Sequence, residues 1–283
     1  VESTERRGVI MTISTWLKLA TKQLKDTGIT SARLDAELLL AETLRKPRTY
    51  LHAHLDEDID PRRVDIANAR LDLRLERVPL AYILGYKEFF GRKFRVTPAV
   101  LVPRPETEDL MTIFLQLTEA DITPNTVIDI GTGSGVLGIT AALERPQFRT
   151  ILSDVSTDAL KIAEHNAAEH NVRVATVRQS LLTGHLEPLD YILANLPYVD
   201  PEWQTSPELR HEPARALYAD DGGLALILKL IPQAARHLQP NGVLFLEADP
   251  EQHPRIIELA MQHGFQHETT LGYALALRFV RTE

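Results

Sequence analysis

The stretch "LDYILANLPYVD" runs from an apolar segment into Asn195, Leu196, Pro197 and Tyr198, and no acid, histidine or cysteine lies among those four. A side-chain amide oxygen and a backbone carbonyl, both held by a proline-stiffened turn, make a pair of acceptors for an –NH₂ group. An amide or adenine nitrogen is a poor nucleophile, because its lone pair is delocalised. Two acceptors on its hydrogens can turn that lone pair toward an electrophile and stabilise the positive charge that develops on nitrogen. Tyr198 offers a flat face on which a planar group could stack. The plainer reading is a proline turn that leaves a strand.

Upstream, "DIGTGSG" (129–135) follows an apolar strand and opens a helix. Gly131, Gly133 and Gly135 let the backbone turn sharply and let a ligand approach without Cβ clashes. The spacing is G-x-G-x-G, not the dinucleotide G-x-G-x-x-G. The next strand ends in Asp154, placed to accept hydrogen bonds from a ribose diol, and no later segment offers a second mononucleotide half. This loop is similar in form to those of S-adenosylmethionine-dependent methyltransferases. A ligand-free glycine turn with Asp154 as a strand-end cap is the alternative. Asn195 ends its strand at the same carboxyl edge, where open α/β sheets bind ligands.

The elements that must position these residues can be read from periodicity. From Ile13 to about Leu84 the pattern is helical: Trp16, Leu17, Leu19, Ala20 and Leu24 share a face, and Thr30 or Ser31 caps a second helix with Leu34, Leu38, Leu39 and Leu44 as its stripe. A third helical stretch starts near Pro61 and runs through "RLDLRLERVPLAYILG". A short hairpin around Gly91 within 85–100 links this helical domain (11–84) to the rest (101–283). From Thr126 onward strands and helices alternate. This predicts an α/β fold with an open, mostly parallel sheet covered on both faces, ending in two neighbouring strands.

With 283 residues, 44% hydrophobic and 25% charged, the chain has the composition of a soluble two-domain protein. No apolar run is long enough to cross a bilayer and no signal-peptide pattern opens the chain, so a cytoplasmic protein is expected. The absence of cysteine excludes disulfides, thiolate metal sites and a cysteine nucleophile, and no metal site is expected. A net charge of −8 argues against stable nucleic-acid binding over a broad surface. The basic stretches "RKPR" (45–48) and "GRK" (91–93) read as solvated loops. Residues 1–10, ahead of Met11, have neither helical nor strand period and are set aside as an upstream start or an expression remnant.

In order along the chain, "SARLDAELLLAETL", "VPLAYILGYKEFFGRKFRV", "LVPRPETE", "DIGTGSG" and "HEPARALYADDGG" resemble blocks of the HemK/PrmC family of protein-(glutamine-N5) methyltransferases. The resemblance covers almost everything after Met11. It implies a Rossmann-like S-adenosylmethionine-dependent methyltransferase sheet behind a small N-terminal helical bundle that docks the substrate. The substrate implied is the glutamine of the Gly-Gly-Gln motif in a peptide-chain release factor, and a monomer is expected. Carried over residue by residue, the cofactor would meet Asp129, Gly131, Thr132, Gly133, Gly135, Asp154, Ser180 and Asn195. Asn195, Leu196, Pro197 and Tyr198 would form the catalytic loop. Arg104, Glu106 and Thr107 of "PRPETE", with Glu212, would lie on the substrate side, or else cap the first catalytic-domain helix and form a turn.

The chain departs from the family at two places. The loop there is normally N-P-P-Y, and Leu196 here replaces the first proline. An acid often follows the serine near the adenine, where this chain has Leu181, so Ser180 carries over weakly. N-L-P-Y is also a spelling used by adenine methyltransferases acting on RNA, so adenine in nucleic acid and glutamine in a ribosomal protein stand as alternatives. A non-catalytic binding module is the third.

Overall fold

The computed structural model describes residues 11–280; the expectation for residues 1–10 lies outside them. The chain divides into two compact units, Val1–Leu84 and Gly85–Glu283.

The first unit holds α1 (Ile13–Asp26), α2 (Ala32–Leu44), α3 (Arg48–Ala53), α4 (Pro61–Leu75) and α5 (Leu80–Leu84). Trp16, Leu17, Ala20 and Leu24 are buried as expected, whereas Leu19, two positions off that face, is exposed. In α2 the buried face is Ala32, Ala36, Leu39 and Leu40, and Leu34 is 42% exposed. The face is therefore turned from the expected leucine stripe, and small alanines line the contact. Ser31 is the N-cap but makes no side-chain cap bond. The expected third helix is two: Arg77 adopts a left-handed φ of 68°, and Pro79 keeps Val78 out of the helical region before α5 begins. Buried charges tie the bundle together: Arg74 bonds Asp35 at 2.7 Å, while Glu37 accepts from Arg33 at 2.6 Å and Arg48 at 2.8 Å. Burial works to raise the Glu37 pKa, but the Arg48 and Arg33 bonds outweigh it and hold it below the usual value. Arg48 of "RKPR" is thus engaged within the fold.

The second unit opens with a hairpin, β1 (Tyr86–Phe89) and β2 (Arg92–Arg95), turning through Phe90 and Gly91. Its Phe89 and Phe94 are fully buried in the same cluster as residues of the following domain, so the hairpin packs as part of this unit. Then come α6 (Thr107–Leu117), β3 (Thr126–Ile130), α7 (Val136–Glu144), β4 (Arg149–Asp154), α8 (Thr157–Glu169), β5 (Ala175–Arg178) and β6 (Leu189–Ala194). α9 (Ala225–His237), β7 (Leu238–Glu247), α10 (His253–Gln262), β8 (Phe265–Leu271) and β9 (Ala274–Phe279) complete it. Apart from the antiparallel β1–β2 hairpin, the strands β3 to β9 form one sheet in the order β5-β4-β3-β6-β7-β9-β8; within it β9 runs antiparallel to β7 and β8, and the other pairings are parallel.

Strand side chains alternate between faces, so each central strand feeds two cores. Ile128, Ile192 and Leu244 pack with Ile227 and Ile231 of α9 and Ile256 of α10. Val127, Leu193 and Phe245 pack with Phe114 of α6, Ile139 of α7 and Ala163 of α8. Both faces are covered, which is why the strands read as nearly continuous apolar runs. The chain runs outward from β3 through β4 to β5, then returns to β6 on the other side of β3. That reversal opens a crevice beyond the carboxyl ends of β3 and β6. Among the described residues, no helix is long and apolar enough to cross a membrane.

Candidate active site

A cavity of about 310 Å³ occupies that crevice, within the size range of small-molecule sites. The β3–α7 loop forms one wall. Gly131 and Gly133 adopt φ of +70° and +55°, which side-chain-bearing residues seldom adopt. A Cβ on Gly133 would meet only one atom within 4 Å, at 3.9 Å, so its backbone is open to a ligand.

The loop is braced from beneath by Asp129. Its Oδ2 accepts from the Thr132 hydroxyl at 2.6 Å and from the Gly138 N–H in the first turns of α7 at 2.9 Å. Burial pushes the Asp129 carboxyl up to about 6, with the Asp154 charge adding to this and the two hydrogen bonds opposing it. Asp129 and Thr132 line the cavity, yet their mutual bond makes them the mould of the loop. Gly135 is the left-handed N-cap of α7, packed against Ala163.

Asp154, at the end of β4, accepts from Gly133 N–H at 3.0 Å and from Ser156 N–H at 2.8 Å. It both caps the turn into α8 and lies on the cavity, so the two sequence readings describe one residue. Ser180 is exposed on the cavity rim. Beside it, Gln179 presents an Nε2 that is buried and has no hydrogen-bond partner among the described residues. Leu181, at the position of the missing acid, is buried at a left-handed φ of 51° and adds apolar lining. Open loop amides, a carboxylate at a strand end, an orphaned buried amide and an apolar wall fit a nucleoside-bearing ligand: the diol to Asp154, a base nitrogen to Gln179, and the base plane to Leu181.

The Asn195 loop lines the same cavity through Asn195, Leu196 and Pro197. Asn195 donates from Nδ2 to the Thr107 hydroxyl at 3.0 Å. Leu196 is buried, and its Cδ2 lies 3.1 Å from where a Cβ on Gly131 would be, so it packs directly on the glycine loop. Tyr198 does not face the cavity as a stacking platform. Its hydroxyl donates to Glu247 Oε1 at 3.0 Å, its ring packs on the core, and burial followed by the Glu247 charge raises its pKa. Sequence reasoning placed the four residues together at the surface; Leu196 and Tyr198 turn inward because both carry large apolar area.

The "PRPETE" residues divide. Arg104 pairs with Glu212 at 2.6 Å, and the other Glu212 oxygen accepts from Val102 N–H at 2.9 Å. The Glu212 side chain is almost wholly buried, so this pair clamps the 102–104 segment to the segment after the catalytic loop. Glu106 is exposed at the N-cap of α6 and makes no side-chain cap bond. Thr107 is buried against Asn195. Three features escaped sequence reasoning. Gln179 and Glu247 carry no motif, and the Thr107–Asn195 bond joins residues 88 positions apart.

Comparisons with known proteins place the chain in a family. Residues 15–85 match the family described as PrmC N-terminal domain, and residues 108–275 match the Methyltransferase small domain. A release factor glutamine methyltransferase of Coxiella burnetii is 37% identical over 258 residues, 89% of this chain and 93% of its own length. A protein of the same name from Deinococcus radiodurans is 36% identical over 267 residues, 94% of this chain and 96% of its own. A solved 16S rRNA N2 G1207 methyltransferase of T. thermophilus, in complex with AdoMet and guanosine, shares the fold at a TM-score of 0.51 and 16% identity, covering 70% of this chain and 50% of that one. The chain belongs to the release factor glutamine methyltransferase family.

Proposed function

We propose that this chain transfers a methyl group from S-adenosylmethionine to the side-chain amide nitrogen of the glutamine in the Gly-Gly-Gln motif of a peptide-chain release factor. The observation that carries the reading is Asn195, an amide at the lip of a nucleoside-sized cavity whose nitrogen is already engaged by Thr107. Its Oδ1 is thereby left to accept a substrate N–H.

S-adenosylmethionine supplies a sulfonium-bound methyl group whose sulfur is an excellent leaving group. The protein's task is to hold the reacting nitrogen in line. Asn195 Oδ1 and the Leu196 carbonyl accept the two amide hydrogens, so the nitrogen lone pair is directed to the methyl. The bound sulfonium would supply the methyl group and take up the C–S electron pair, and the substrate nitrogen, held by Asn195 and the Leu196 carbonyl, would release one proton to water. Because Leu196 contributes its backbone, replacement of the family proline leaves that acceptor in place.

The acidic chain, with Arg48 and Arg92 paired to Glu37 and Glu144, supports a protein rather than a nucleic-acid substrate. A release-factor substrate puts the enzyme's work in the cytoplasm, and a single chain carries every residue invoked, consistent with a monomer. In a methyl-transfer assay, Asn195→Ala is expected to lose at least ~100-fold in rate while its S-adenosylmethionine affinity, read by calorimetry, stays within about twofold of the parent, a change worth under ~0.5 kcal/mol. Retained turnover in that variant, or methylation of an adenine oligonucleotide in preference to release factor, would overturn the reading.

A further inference from the structure

Three segments converge on the backbone carbonyl of Tyr198, at the downstream end of the Asn195 loop. Gln252, 6% exposed and directly ahead of α10, donates from Nε2 to Tyr198 O at 2.9 Å and to Gly222 O at 2.7 Å. Its Oε1 accepts from Asp249 N–H at 3.1 Å, one half of a capping box on the short turn that leads into α10. The amide nitrogen and the amide oxygen are therefore both engaged. A flip of the amide would set an acceptor against two carbonyls and donors against an N–H, so its orientation is fixed.

The turn at 221–223 presses on the same carbonyl. Asp221, Gly222 and Gly223 have φ of +63°, +65° and +81°, and a Cβ on Gly223 would strike Tyr198 O. The Tyr198 and Gly222 oxygens share one donor group, and removing it costs both of them their hydrogen bond to Gln252. One residue on, Val199 donates to Leu217 O at 3.0 Å and accepts from Ala219 N–H at 3.1 Å. The Tyr198 hydroxyl is bonded to Glu247 at 3.0 Å. Residues 198 and 199 are thus pinned by side chain and backbone together. That matters more here, because Leu196 in place of the family proline frees one φ that a ring would lock.

We infer that Gln252 is a positioning residue for the catalytic loop: its amide anchors the Tyr198 carbonyl and so limits how the Leu196 and Pro197 peptide planes can turn. Thr107 holds Asn195 at one end of the loop and Gln252 holds Tyr198 at the other. The Asn195 side-chain oxygen and the Leu196 carbonyl then keep a fixed relation to each other. The catalytic consequence rests on the proposed function; the anchoring rests on the hydrogen bonds themselves. Gln252 touches no reacting atom and acts through the loop.

A simple cap on the turn before α10 makes the opposite prediction in a set of full-chain variants. Gln252→Glu keeps the oxygen that serves the cap, since Glu is itself a capping-box residue, and removes both donors. Gln252→Met removes donors and acceptor together, and carries the test if the carboxylate of Gln252→Glu unfolds the chain. Asp249→Ala breaks the cap from its other side and leaves the Gln252 donors in place. In steady-state methyl transfer to release factor, kcat should fall at least about tenfold in both Gln252 variants, because small displacements of a positioned group cost that much. It should stay near the parental value in Asp249→Ala. The S-adenosylmethionine Kd, read by calorimetry, should stay within about twofold throughout, which also shows that the variants are folded.

Independently of any substrate, hydrogen exchange read by mass spectrometry should quicken in the peptides that contain Val199 and Ala219 in both Gln252 variants, and not in Asp249→Ala. Parental kcat in the Gln252 variants, an equal loss in Asp249→Ala, or unchanged exchange at Val199 and Ala219 would overturn the inference. If the parent protein leaves release factor unmethylated, the functional reading falls, and the exchange data alone then decide the anchoring role.

Discussion

The carboxyl of Asp129 is wholly buried, and its protons are linked to folding. Its folded pKa, about 6, lies above the ordinary value of 3.8, so the folded state holds the proton more tightly than the unfolded one. The stabilisation from that proton is fully present below pH 3.8 and is lost as pH rises through about 6. Asp129→Asn removes this titration. The stability difference between Asp129→Asn and the parent, read by chemical denaturation, should therefore move in favour of the variant by on the order of 2–3 kcal/mol between pH 4 and pH 7. A difference that does not vary with pH would contradict the assignment. At Leu196 the expectation concerns packing. Leu196→Ala keeps the backbone acceptor but empties a buried site against Gly131, and should cost about 2–4 kcal/mol of stability, read by thermal melting, with catalysis persisting in the folded fraction. Asn195, Asp154, Gly131 and Gly133, singled out in the sequence by type and spacing, do line one cavity. Glu247, Gln179 and the inward turn of Tyr198 were not legible there: no local pattern marks a residue whose meaning comes from neighbours 49 or more positions away, as in the Tyr198–Glu247 bond.

Among the elements, the alternation of strand and helix from Thr126 onward was readable because each parallel strand buried on two faces is an uninterrupted apolar run. Less of the helical unit was readable. Leu34 and Leu19 look like core by hydrophobicity and lie outside it, since a shift of two positions turns a side chain well off the buried face. Close contact between elements is the least visible feature, and α7 against β4 illustrates it. Gly138 lies within α7, where alanine has the higher intrinsic helix propensity by about 1 kcal/mol. A Cβ there would come within 2.2 Å of Leu152 Cδ2 and 3.0 Å of Asp129 Cβ. Sterics should win: Gly138→Ala is expected to lose about 1–3 kcal/mol in denaturant unfolding and to weaken cofactor binding with it, because α7 carries the glycine loop. A gain in stability would mean that the helix can slide away from the sheet.

For the whole molecule, each unit has its own hydrophobic core, with Leu17, Leu24, Leu39 and Leu51 in the first and the two sheet faces in the second. The cavity is lined entirely by residues of the second unit. Removal of residues 11–84 should therefore weaken release-factor binding at least ~10-fold while S-adenosylmethionine affinity changes by less than about twofold, differences of ~1.4 and ~0.4 kcal/mol. Equal losses would refute that division of labour. The central claim is the chemistry at Asn195, and one measurement addresses it most directly: incubate the protein and its Asn195→Ala variant with S-adenosylmethionine and unmodified release factor, then map added methyl groups by peptide mass spectrometry. The account predicts one methyl on the glutamine of the Gly-Gly-Gln peptide with the parent and none with the variant. No methyl on that glutamine from a parent protein that binds S-adenosylmethionine, or an equal yield from both proteins, would contradict it.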